Sequence, residues 1–179
     1  MLNRYHRRKL HENAVRYAAN GWPVAPLAVP RNGACPCGNG KTCPEPHLVG
    51  DEVVRDGSRA AAVWSENQPA WEIALVAEWV DVMELPAEYG AVLNHRVKSG
   101  CPTAMAPATR RWMFFVVRGS VPREQVERVG GVLRSGVRDW VAAPGTWTEE
   151  TGRIRWLVHP YLTEWRPYQR RDPIDLAFL

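Results

Sequence analysis

The sequence predicts an α+β fold (mixed α/β), with helices flanking a central mixed β-sheet, and three observations carry that reading. Leu10, Ala14, Tyr17 and Ala18 recur at helical spacing near the start of the chain. Runs rich in β-branched and aromatic residues, such as "EIALVAEWVDVMEL" and "TAMAPATRRWMFFVV", break only at short turn signals. Helix-like stretches lie between those runs instead of being gathered at one end.

Taken in order, residues 7–20 read as a helix closed by Gly21, and "WPVAPLAV" follows as a short buried strand. "SRAAAVWSENQ" reads as a helix with Ser58 as its N-cap and Pro69 as its stop. "EIALVAEWVDVMEL" divides into two strands with a tight turn near Glu78 and Trp79. Pro86 opens the next helix, "PAEYGAVLNHRVKSG", because its missing N–H costs nothing in a first turn. "TAMAPATRRWMFFVV" gives strand, loop and strand, and "PREQVERVGG" a short helix ending in glycine. "VLRSGVRDWVAAPGTW" and "GRIRWLVHP" supply the strands that close the sheet, and the tail from about residue 163 has no clear periodicity. With 179 residues, the chain is read as one domain, residues 1–179, with an insertion at about 31–50.

Nothing in the composition points to a membrane. No apolar run approaches the roughly 18 residues that a span requires, and "MLNRYHRRKLHENAVRYAANGW" has neither an apolar h-region nor a small-residue cleavage site. The expected location is the cytoplasm. The net charge is +4, and 20 of the 23 basic residues are arginine. Arginine's planar fork suits phosphate and base recognition, and a GC-rich coding sequence produces the same bias. Clustering bears on the choice: Arg4, Arg7, Arg8 and Lys9 stand together, and Arg110 and Arg111 form a smaller group. These six are the candidate nucleic-acid contacts. Trp22, Trp64, Trp79, Trp140 and Trp156 lie in apolar segments and are expected in the core; Trp147, in "PGTWTEETG", is expected to be exposed.

The insertion contains "ACPCGNGKTCPEPH", with Cys35, Cys37, Cys43 and His47 in Cys-x-Cys-x5-Cys-x3-His spacing. A reducing cytosol disfavours a structural disulfide. Three thiolates and one imidazole are a common tetrahedral zinc set, and four protein ligands leave no open position for catalysis. The glycines and prolines let the backbone turn tightly round an ion. The expected cofactor is therefore one structural Zn²⁺. Cys101, alone, is expected to be a partly buried thiol.

"AVRYAANGWPVAPL", this Cys/His cluster and "DWVAAPGTWTEETGRIRW" together resemble the N-terminal domain of bifunctional DNA primase/polymerases, in the archaeo-eukaryotic primase superfamily; the likeness runs from about residue 10 to 160. The resemblance implies a primase-polymerase-like fold and, in active members, nucleotidyl transfer by carboxylate-bound Mg²⁺ or Mn²⁺ with a histidine on the nucleotide phosphates. The chain departs from that pattern. Where the family has Asp-x-Asp, "VDVMELP" places Glu84 at the first position and Pro86 at the second. Asp81 is three residues from Glu84, so an extended strand would turn the two to opposite faces. Arg111 or Trp112 stands at the histidine position, and Leu133 or Arg134 at the third carboxylate.

The favoured reading is a catalytically degenerate primase-polymerase-like domain. It would act as a zinc-stabilised module binding nucleic acid, nucleotide or protein, in a setting such as DNA replication. Two alternatives stand beside it: an active DNA primase/polymerase, and a zinc-stabilised protein-interaction domain with no nucleic-acid role. The positions of Arg110, Arg111, Arg134 and Arg138 relative to Glu84 discriminate among them.

Overall fold

A computed structural model describes residues 4–38 and 43–169. The first helix, α1 (Arg4–Ala19), buries Leu10, Ala14, Tyr17 and Ala18, the stripe its spacing predicts. It ends where Gly21 takes a left-handed backbone (φ 78°), and Trp22 N–H reaches back to the Tyr17 carbonyl at 3.0 Å. Next come β1 (Val24–Ala28), β2 (His47–Leu48), α2 (Gly57–Val63), β3 (Glu72–Val76) and β4 (Val80–Pro86). The chain continues with α3 (Ala87–Val97), β5 (Thr103–Ala106), β6 (Arg111–Val117) and α4 (Arg123–Arg128). It closes with β7 (Val132–Arg134), β8 (Trp140–Ala142), β9 (Trp147–Thr148), β10 (Gly152–Arg153) and β11 (Arg155–Val158).

The α+β class is as the sequence predicts, and the strand ladders add detail. Instead of one mixed sheet there are two main sheets, ordered β2-β1-β3-β8 and β11-β5-β6-β4-β7, with a β9–β10 hairpin beside them. Every ladder between named strands is antiparallel. Short links such as the β5–β6 turn allow this, since a parallel pair needs a crossover of a dozen or more residues. The cap of α2 also differs: Asp56, not Ser58, accepts the Arg59 N–H at 2.7 Å, and Ser58 Oγ donates to the same carboxylate.

Strand alternation divides the core. One cluster joins α1, α2, one face of the four-stranded sheet and one face of the five-stranded sheet through Leu10, Tyr17, Ile73, Leu75, Val82, Met113 and Phe115. The opposite face of the five-stranded sheet packs Met83, Leu85, Phe114 and Leu133 with Leu93 and Val97 of α3 and Val126 of α4. The far face of the four-stranded sheet is closed by Leu48, Val53 and Trp140. Trp22, Phe115, Trp156 and Trp165 form an aromatic cluster in the first of these layers, Trp22 lying 5.0 Å from Phe115 by ring centroids.

Two tryptophan expectations are corrected. Trp79 is 60% exposed, because it sits in the β3–β4 turn and not on a strand. Trp147 is half-buried, because the Arg31 guanidinium lies over its ring at 5.2 Å. Cys101 is completely buried, and that burial pushes its thiol up to about 12. The tail beyond residue 163 is not entirely irregular: Tyr168 forms a parallel bridge with Val116 at the end of β6. Residues 170–179 lie outside the described residues.

Candidate metal centre and adjoining cleft

The four predicted ligands converge. Cys35 Sγ, Cys37 Sγ, Cys43 Sγ and a ring nitrogen of His47 all lie within 4.8 Å of one another. Cys37 and Cys43 stand 3.5 Å apart, near the ~3.8 Å edge of a tetrahedron with ~2.3 Å Zn–S bonds. His47 Nε2 faces Cys35 Sγ at 4.0 Å. The other ring nitrogen, Nδ1, is 3.0 Å from the Glu45 carbonyl, and a carbonyl can only accept; Nδ1 therefore carries the proton, leaving Nε2 free to ligate. Burial raises the Cys35 thiol, and the Glu45 carbonyl raises His47. The donor set thus fits a soft or borderline cation, with all four ligands supplied by one loop. Three come from the turns after β1 and the fourth from β2, which pairs with β1. Residues 39–42 of the loop lie outside the described residues.

Beside this loop, lined by residues of both main sheets, opens a cleft of about 330 Å³. Met113, Val141 and Ile154 form an apolar floor; Glu84, Arg134, Arg138 and Asp139 stand on one side, and Thr148, Glu150 and Thr151 of the β9–β10 hairpin on another. Glu45 and Pro46 of the metal loop also line it. The volume sits at the lower end of the ~300–1,000 Å³ usual for small-ligand sites.

Strand geometry decides what Glu84 can do. On β4, Met83 and Leu85 face the helices, and Glu84 faces the cleft. Asp81, buried to 1% exposure, points to the helix side, where its carboxylate accepts the Gly119 N–H at 2.8 Å. Asp81 and Glu84 therefore lie on opposite faces. Pro86 offers no ligand, and at the third position it is Arg134 that faces inward, its Nε donating to Glu84 Oε1 at 2.8 Å. Asp139 Oδ2 is taken by the Ser135 N–H at 2.9 Å. Among the described residues, the Cys/His centre is the one group of three or more such ligands close enough to hold a metal ion.

The predicted basic contacts do not gather in one place. Arg134 and Arg138 line the cleft; Arg110 and Arg111 do not. Arg110 occupies a left-handed turn position (φ 53°), and Arg111 donates to the Gly130 carbonyl at 2.9 Å. On α1, Arg7 donates to the Gln68 carbonyl, and Arg8 and Lys9 both pair with Glu12. Arg4 is exposed at the start of the helix.

The fold also assembles a buried ionic group that sequence reasoning does not anticipate. Glu72, at the head of β3, is 1% exposed, and its Oε1 accepts from Arg31 Nη2 and bonds His6 Nε2 at 3.1 Å. Arg31 also donates to the Trp147 carbonyl at 3.2 Å. The only local signal is one carboxylate opening the otherwise apolar strand "EIALV". The chain matches no family model, no curated protein and no solved structure.

Proposed function

We propose that this protein is a catalytically silent, primase-polymerase-like binding module, stabilised by a structural zinc ion and using the cleft between its two sheets to hold a nucleotide or the end of a nucleic-acid strand. The observation that carries the reading is the Glu84–Arg134 ion pair. Two-metal nucleotidyl transfer needs carboxylates close together to hold hard cations. Here the inward-facing carboxylate is neutralised by a guanidinium, and Asp81 is on the other side of the sheet. What the cleft keeps is recognition chemistry: two guanidinium groups, two threonine hydroxyls and an apolar floor. Arg138, exposed and with no ion pair to another described residue, is the group best placed to meet phosphate.

The test of silence is a primed template with dNTPs and Mg²⁺ or Mn²⁺. The zinc-loaded protein should give no product above background, and extension abolished by Glu84→Ala would refute the reading.

A second reading, a zinc-stabilised protein-interaction domain, is favoured by one observation. Glu45, Glu84, Asp139 and Glu150 outnumber Arg134 and Arg138 around the cleft, and Arg8 and Lys9 are already paired. Labelled oligonucleotides separate the two. The first reading expects sequence-independent binding of roughly 10⁻⁴ to 10⁻⁶ M that weakens steeply with salt; the second expects none even at low salt.

A further inference from the structure

We infer that the metal centre shapes the cleft, holding two of its walls in place, so that occupancy of the cleft is linked to occupancy of the metal site. The consequence for ligand capture rests on the cleft being the binding site, as proposed above; the mechanical linkage does not.

The first wall belongs to the metal loop itself. Glu45 and Pro46, which line the cleft, lie between the ligands Cys43 and His47. Metal bonds would therefore pin this short stretch at both ends. The His47 ring also holds the wall directly, since Nδ1–H donates to the Glu45 carbonyl. The second wall is the β9–β10 hairpin, which contributes Thr148, Glu150 and Thr151. Within the hairpin the Thr148 and Thr151 hydroxyls meet at 2.6 Å and the Thr151 N–H reaches Thr148 Oγ1 at 2.9 Å; its far strand is also tied to the β5–β6 turn, where the Ala108 N–H donates to the Thr151 carbonyl at 3.1 Å.

Arg31 ties the second wall to the first. Its backbone is bridged to Ala34 by hydrogen bonds of 2.8 and 3.0 Å, immediately before the ligand Cys35. Its guanidinium covers the Trp147 ring, and its Nη2 donates both to the Trp147 carbonyl and to the Glu72 carboxylate. Around this strut the loop and hairpin stand apart, across a recess of about 280 Å³ lined by Arg31, Cys43, Pro44 and Glu149. The contacts of Arg31 are thus the main link between the two walls. Metal binding is coupled to folding in loops of this kind. Without the metal the loop would loosen, Arg31 would keep only its Glu72 contact as an anchor, and the Trp147 strand of the hairpin would loosen with it, while Thr151 stays tied to Ala108. Linkage is reciprocal, so a cleft ligand would in turn tighten metal binding.

The experiment is hydrogen–deuterium exchange read by mass spectrometry, on zinc-loaded protein and on protein stripped with a chelator, with no ligand present. Stripping should speed exchange in residues 31–38 and 43–50, and also in the hairpin at 145–154, by on the order of tenfold. Residues 87–97 of α3 should be unchanged. Arg31→Met should retain one zinc per chain by native mass spectrometry yet loosen the hairpin, and Trp147→Leu, which removes the ring contact but leaves the Arg31–Glu72 pair and the bond to the backbone carbonyl of residue 147, should loosen it less. A hairpin unaffected by stripping overturns the inference. So does a hairpin unaffected by both substitutions, or exchange that rises throughout the chain, which would make the metal a support of the whole fold. Oligonucleotide anisotropy on the zinc-loaded protein is scored separately: absent binding with intact linkage overturns the ligand reading alone.

Discussion

Replacing Glu72 with alanine removes a carboxylate that bonds both Arg31 and His6, and takes that partner from the Arg31 guanidinium. The Glu72 side chain is 2% exposed, that of His6 10% and that of Arg31 28%. Breaking a buried pair by deleting one member costs about 3–5 kcal/mol, most of it the penalty of the stranded charge. Arg31 retains some contact with solvent, so the lower end applies, about 3 kcal/mol. For a chain of this length each kcal/mol lowers the midpoint by about 2–4 °C, giving an expected fall of roughly 6–12 °C. Thermal unfolding of the zinc-loaded protein, followed by circular dichroism at neutral pH, reads the shift. Glu72→Gln, which keeps the shape and one acceptor, should lose distinctly less. A fall below about 2 °C for the alanine variant would refute the reasoning, since it would mean that loss of the carboxylate strands no buried charge.

Cys43→Ser should release zinc, measured as metal per chain by elemental analysis, and should leave residues 31–38 and 43–50 open to proteolysis; full retention of zinc would contradict the ligand set. Gly90→Ala should lower the melting temperature even though alanine favours helices by ~1 kcal/mol. A Cβ there would stand 2.6 Å from Trp112 Cγ and 2.7 Å from its Cβ, and overpacking at such a contact costs about 1–3 kcal/mol.

Much of the site is legible in the amino-acid sequence because its signals are local. The four candidate metal ligands fall within thirteen consecutive residues, and donor chemistry alone selects the ion class. The opposition of Asp81 and Glu84 follows from strand alternation over three residues, and the fold places them so. The buried face of α1 is equally plain from its 3.6-residue repeat. The features that sequence patterns do not reveal depend on distant partners. Glu72 meets His6 and Arg31 across 66 and 41 residues, and no local pattern pairs them. The division into two sheets depends on β3 pairing with β8 across more than sixty residues while β4, only a turn away, joins the other sheet. Trp79 defeats the expectation of burial because its position in a turn outweighs its hydrophobicity. The α1 arginines look like a surface patch in sequence, yet Glu12, one turn on, pairs with Arg8 and with the neighbouring Lys9.

The central claim, that the cleft binds without catalysing, is tested most directly by fluorescence anisotropy of a labelled oligonucleotide, in Mg²⁺ and at low salt, against zinc-loaded protein and an Arg134→Ala, Arg138→Ala double variant. The account predicts saturable binding by the native protein, no change in the length of the oligonucleotide when dNTPs are added, and a flatter salt dependence with at least a roughly tenfold loss of affinity in the double variant. Equal binding by the two proteins would contradict it, because the ligand would then be held somewhere other than the cleft.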